Sequence, residues 1–156
     1  MFVNFHEAME RIAGTRVFQS HYAQMLHDVE TALETEESAS EAMALERTDE
    51  GDLVFTLLGR QVVTALDVVR CNTPDGVELL GRVRFILLDS PLLDRPASVV
   101  LSLIMHTDGT AGFNAAEHEI SVVPNKSGTP LSGARTLLKQ LLTAIVDHLD
   151  SVPAKA

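Results

Sequence analysis

Apolar and polar positions along the chain fall into three regimes. From Asn4 to Leu33 the apolar residues recur at helical spacing, from Leu53 to Val123 they come in strand-length runs, and from Leu131 to Leu149 the helical spacing returns. In the first regime Phe5, Met9 and Ile12 share one face, with Asn4 placed to cap the helix and Glu7 to reach back. Phe18, Tyr22, Met25, Leu26, Val29 and Leu33 fall on nearly the opposite face at 100° per residue. One straight helix would have to serve two cores. Gly14 and Thr15 stand at the change of phase, so the pattern predicts a short helix over 5–13 and a longer one over 16–34. Tyr22 is expected in the core with its hydroxyl in water.

The middle regime predicts five strands: Leu53 to Leu58, Gln61 to Cys71, Val77 to Leu88, Ser98 to His106 and Ala111 to Val123. Turns are signalled at Gly59 Arg60, at Pro74 Asp75 Gly76 and at Asp108 Gly109. The run Val99 to Met105 has no polar face and reads as a strand buried on both sides. Ser90 and Pro91 suggest one helical turn before it. Thr129 as cap and Pro130 as first helical position open a last helix reaching about Asp150. The fold class that follows is α+β: a five-stranded antiparallel meander with N-terminal helices and a long C-terminal helix packed on it, in a single domain over 1–156.

If Pro74 Asp75 Gly76 forms a three-residue loop, the second hairpin puts odd-numbered residues of both strands on one face. Val63, Ala65, Asp67 and Val69 would then lie with Leu79, Gly81, Val83 and Phe85 in the core. Arg82 and Arg84 would lie on the other face, and Arg70 within reach of Glu78. Doubled apolar residues such as Val62 Val63, Val68 Val69 and Leu79 Leu80 spoil the alternation of a sheet with one wet face. Something must cover the second face. If the helices share one face, the free one exceeds the apolar area tolerated on monomers, which favours a homodimer or a binding surface.

Charge changes the picture at the N-terminal end. Of a net charge of −10, residues 1 to 52 carry twelve acids against three arginines, and residues 53 to 156 carry ten acids against nine bases. Direct nucleic-acid binding needs a basic face, and this count supplies none. Residues 35–52 are expected to form a mobile acidic connector between the N-terminal helices and the sheet. Within and beside it, Glu36, Glu37, Glu41, Glu46, Asp49 and Glu50 are the candidate contacts for a basic protein partner. A single cysteine, Cys71, allows no internal disulfide, and no run approaches the length of a membrane span. With no secretory signal at Met1 to Glu7, the expectation is a cytoplasmic protein that does not enter membranes.

Candidate chemistry is sparse. Asp67, a carboxylate on a face read as core, must have a raised pKa or a partner; a structural acid is the commoner outcome. Arg82 and Arg84 point to one face and, with Arg70, suit an anion, or else snorkel over Leu80 and Ile86. Alternation places His118 on one face and its neighbours Glu117 and Glu119 on the other. His106 is too far along the ladder from Glu117 for contact, so a metal site would need ligands from elsewhere, such as His21, His27 or His148. The loop from Lys126 to Thr129 lacks the order of a phosphate loop. Asp67, Arg82, Arg84 and His118 are the candidate ligand-binding residues; no catalytic residue, metal or cofactor is assigned.

The order helix, three strands, short helical turn, two strands, helix in a small acidic chain, over roughly residues 16 to 150, is similar to that of the class I chaperones of type III secretion. The resemblance implies a homodimer that binds an unfolded stretch of another protein. The expected function is therefore a non-catalytic protein-binding module of chaperone, adaptor or inhibitor type. The alternative is a small-ligand protein or enzyme with a pocket between the sheet and the C-terminal helix.

Overall fold

The computed structural model of the chain describes residues 4–35, 43–88, 97–121 and 132–154. Two helices, α1 (Phe5–Gly14) and α2 (Arg16–Thr35), precede strands β1 (Met43–Arg47), β2 (Leu53–Leu57), β3 (Arg60–Thr73), β4 (Gly76–Leu88), β5 (Ser98–Met105), β6 (Thr110–Gly112) and β7 (Ile120–Ser121). Helix α3 (Ser132–Asp147) follows. The strands pair antiparallel in chain order, and the meander curls into a half-barrel. The α+β class and the flanking helices agree with the periodicity, but the sheet has seven strands instead of five.

Both extra strands have local causes. Met43 and Leu45 repeat at period two inside the acidic stretch and pair with Leu57 and Phe55 as strand β1. A turn from Thr48 to Asp52, closed by Thr48 N–H to the Asp52 carbonyl at 2.9 Å, joins β1 to β2. The run read as one strand over 111–123 breaks after Gly112, and its remainder returns only as β7. Residues 36–42, with Glu36, Glu37 and Glu41, lie outside the described residues, as do the turn at Ser90, the loop at Lys126 and the cap at Thr129.

Asn4 caps α1 by accepting from the Glu7 N–H at 2.8 Å, and the helices part at Thr15, as the change of phase demands. Helix α2 buries Phe18, Tyr22, Met25, Leu26, Val29, Ala32 and Leu33. It packs beside α3, which buries Ala134, Leu137, Leu138, Leu141 and Ile145. Both helices lie on one face of the sheet, the inner face, against Phe55, Val62, Val83, Phe85, Leu103 and Met105. The Phe18 ring passes so close to β4 that a Cβ at Gly81 would stand 3.0 Å from it. Among the described residues no helix is long and apolar enough to cross a membrane.

The hairpin of β3 and β4 fixes which side chains reach that core. Thr73 pairs with Gly76 around Pro74 and Asp75, a two-residue connection in which Gly76 adopts φ +129°. The three-residue loop predicted a register one residue away, and a slip of one turns every side chain of a strand to the opposite face. Val62, Thr64 and Leu66 of β3 therefore face inward with Val83, Phe85 and Leu87, while Val63, Ala65, Asp67 and Val69 face outward. The predicted register would have turned the Asp67 carboxylate to the face that carries the helices. The observed one puts it across from Arg82 and puts Thr64 inside instead.

Thr64 is a polar group that the core can satisfy. Its hydroxyl accepts from the Leu53 N–H at 2.9 Å and meets the Tyr22 hydroxyl at 2.6 Å, and Tyr22 in turn donates to Asp52. Tyr22 is in the core as expected, but its hydroxyl is bonded to Thr64 and Asp52 rather than left in water. It is 2 % exposed, and burial, with the Asp52 hydrogen bond, pushes its pKa far up. The chain of bonds ties α2 to β2 and β3, and a buried hydroxyl left unpaired costs about 1–3 kcal/mol.

Candidate binding face

With both helices on the inner face, the outer face of β3, β4 and β5 is where the candidate side chains collect. Register sets them in rows across three strands: Ala65, Arg84 and Ser102, then Asp67, Arg82 and Ile104. Val63 and Ile86 form the next row on one side, joined by Val99 beyond a bulge, and Val69 and Leu80 form it on the other. Leu80 is fully buried although it faces away from the helical core.

Asp67 takes a fork of bonds from Arg82: Nε to Oδ1 at 3.0 Å and Nη2 to Oδ2 at 2.6 Å. Arg84 comes no nearer than 3.9 Å to the same carboxylate. The three side chains are about one-third exposed, at 33 % for Asp67, 34 % for Arg82 and 35 % for Arg84. The Arg82 hydrogen bonds hold the Asp67 carboxyl below the usual carboxylate range, and the Asp67 hydrogen bond raises Arg82 in turn. A carboxylate kept ionised by two guanidinium groups is poorly suited to general acid–base work. Arg70 does not join them: it stands across from Leu79 and alternates to the other face, and Glu78 stands across from Cys71.

His118 reaches the same side of the sheet by a different route. Past β6 the chain doubles back over Gly112, which stands across from Ile104, and a Cβ there would lie 2.2 Å from the Glu117 Cβ. Only glycine leaves room for that crossing. The loop is held by its own side chains: Glu117 accepts from the Phe113 N–H at 2.8 Å and from Asn114 at 2.7 Å. This fold-back places the His118 ring on His106, with centroids 3.7 Å apart and planes 20° apart. His106 Nε2 lies 3.2 Å from the Glu117 carbonyl oxygen, so residues judged too distant along a ladder are in contact. Thr110 donates to Asp108 at 2.6 Å and so accepts from His118 Nδ1. These Thr110 bonds hold Asp108 below the usual carboxylate range.

No family model, curated protein or solved structure matches this chain. Its geometry is what speaks to function. Of the four candidate ligand-binding residues, Asp67, Arg82 and Arg84 are brought together, and His118 lies apart from them over His106. No group of three or more metal-ligating side chains occurs among the described residues. His21 meets the Thr107 carbonyl at 3.0 Å, and His148 the Ala144 carbonyl at 2.9 Å. Glu46, Asp49 and Glu50 are exposed at the far edge of the sheet, around β1 and its turn. Beside them a cleft of about 220 Å³ is lined by Glu30, Leu33, Glu34, Leu45, Glu46 and Arg47, with Arg47 paired to Glu30. Sequence reasoning missed the Tyr22 chain and the histidine pair; the only local sign of the histidine pair was Gly112 followed by an Asn114 turn.

A carboxyl whose folded pKa lies below its unfolded value stabilises the fold above the unfolded value, about 3.9, and loses that contribution as pH falls through the folded one. Asp67→Asn is expected to cost about 1 kcal/mol at pH 7, as for a partly exposed ion pair. In urea denaturation the gap to the native chain should close as pH drops below about 4. A gap unchanged between pH 7 and pH 2 would show that the ion pair is not its source.

Proposed function

We propose that the chain is a non-catalytic protein-binding module that receives a segment of another polypeptide on the outer face of its sheet. The observation that carries this reading is the placement of both α2 and α3 on the inner face. Val63, Ile86 and Ile104 are left half-buried around the charged rows, and Val99 is 47 % exposed. Apolar side chains left at the surface around a charged centre suit a protein-contact surface. The face itself supports the reading; the element order that resembles the secretion chaperones does not, since the sheet has seven strands. A cytoplasmic setting belongs to the same proposal and is supported by the lone free thiol of Cys71. The acidic turn with Glu46, Asp49 and Glu50 offers a basic partner a second contact.

The small-ligand alternative draws no support from the space between α2, β7 and α3, about 10 Å³, no more than one water.

A homodimer is part of the proposal, and α1 is the element that supports it. Its stripe of Phe5, Met9 and Ile12 stands 81, 49 and 52 % exposed, and none of its residues is buried. These positions form the i, i+4, i+7 seam that helices use against one another. Light scattering is expected to return the mass of two chains, falling to one with Met9→Glu. A native chain that stays monomeric at high concentration would remove the dimer from the account.

For the outer face, a displayed library of random peptides panned against the purified chain should yield extended binders. Ile104→Lys, which sets a charge in the apolar surround, should weaken them about tenfold or more, the equivalent of 1.4 kcal/mol. Failure to retain any peptide, or retention indifferent to Ile104→Lys, would defeat the proposed function.

A further inference from the structure

Among the described residues, Arg84 is a cation on the outer face with no hydrogen-bond partner for its Nε and only a long ion contact to Asp67. Asp67 carries one negative charge, and both of its oxygens are engaged by Arg82. The nearest approach of Arg84 to it is 3.9 Å, too long for a hydrogen bond. Arg84 Nε is shut away from solvent and has no hydrogen-bond partner. The three groups together leave one positive charge on a face edged by Val63, Val69, Ile86 and Ile104, in a chain whose net charge is −10. The residues directly beside Arg84 on the neighbouring strands, Ala65 and Ser102, are both small, and the Arg84 side chain is 35 % exposed. Covering this face with a purely apolar segment would bury an unpaired charge, which is costly.

We infer that the segment received on the outer face brings a carboxylate to Arg84. This rests on the outer face being the binding face, and it specifies the partner: an extended stretch with an Asp or Glu side chain, or a terminal carboxylate, set between apolar residues. A second copy of the chain fits the position less well, since a two-fold pairing there would set one uncompensated positive charge against another. Arginine is suited to the task because its planar fork takes a carboxylate with two parallel bonds. Asp67 acts as the positioning group: by occupying Arg82 it leaves Arg84 as the free cation.

The test is the composition of a displayed library of random heptapeptides retained by the native chain at physiological salt. The long-range field of a strongly acidic protein favours basic peptides, so a preference for acidic ones must come from a local site. Asp or Glu should be enriched about tenfold in the retained pool, on the scale of one charge-assisted contact. Arg84→Gln should abolish the enrichment, and Arg84→Glu should turn it toward Lys and Arg. The melting temperature of Arg84→Gln should stay at the native value, because the Asp67–Arg82 fork is intact. Peptides that bind, and lose binding with Ile104→Lys, but show no acidic enrichment would overturn the inference while leaving the binding face standing. Enrichment that survives Arg84→Gln in the folded variant would overturn it as well. Retention of no peptide at all would remove the binding face and the inference with it.

Discussion

The structure depends on one registration, that of β3 against β4. Thirteen successive pairs from Gln61–Leu88 to Thr73–Gly76 share it, and a shift of one residue would exchange the two faces of β3. In the observed register the inward positions carry a threonine that two partners satisfy, and the outward ones carry a carboxylate that meets a guanidinium. In the neighbouring register the carboxylate would turn to the helix-bearing face, away from Arg82. Desolvating an unpaired charge outweighs the small differences in turn propensity that separate a two-residue from a three-residue connection. The same choice sorts the protein into a side that carries the helices and a sheet side that carries the Asp67, Arg82 and Arg84 rows.

The elements were largely legible in the sequence, and their lateral arrangement much less so. The change of helical phase at Gly14 and Thr15 was enough to separate α1 from α2, because two apolar stripes on opposite faces cannot share one core. Strand-length runs marked β2 to β5 for the same reason of periodicity. The turn at Pro74 to Gly76 fits either connection length, so face assignment on β3 had to wait for tertiary context. The end of the sheet was harder still. Ala111 to Val123 has strand composition, yet Gly112 lets Glu117 cross it, and the loop satisfies its own backbone through Glu117 and Asn114. Nothing in the spacing of His106 and His118 foretold that their rings would stack.

The candidate residues show the same division. Arg82 and Arg84 were legible as a same-face pair because β alternation needs no register. Their joining with Asp67 was not, since it turns on which face β3 presents. Arg70 fell away for the converse reason. What emerges is a polar centre in an apolar surround, with a tight ion pair and one loosely held arginine.

The most direct measurement is a double-mutant cycle on Asp67 and Arg82, using Asp67→Asn, Arg82→Gln and the pair, read by urea denaturation at pH 7. Side chains that face one another across the outer rows should show a coupling of about 1 kcal/mol. A coupling indistinguishable from zero would mean that the two lie on opposite faces of the sheet, and the sorting of its two sides would have to be redrawn.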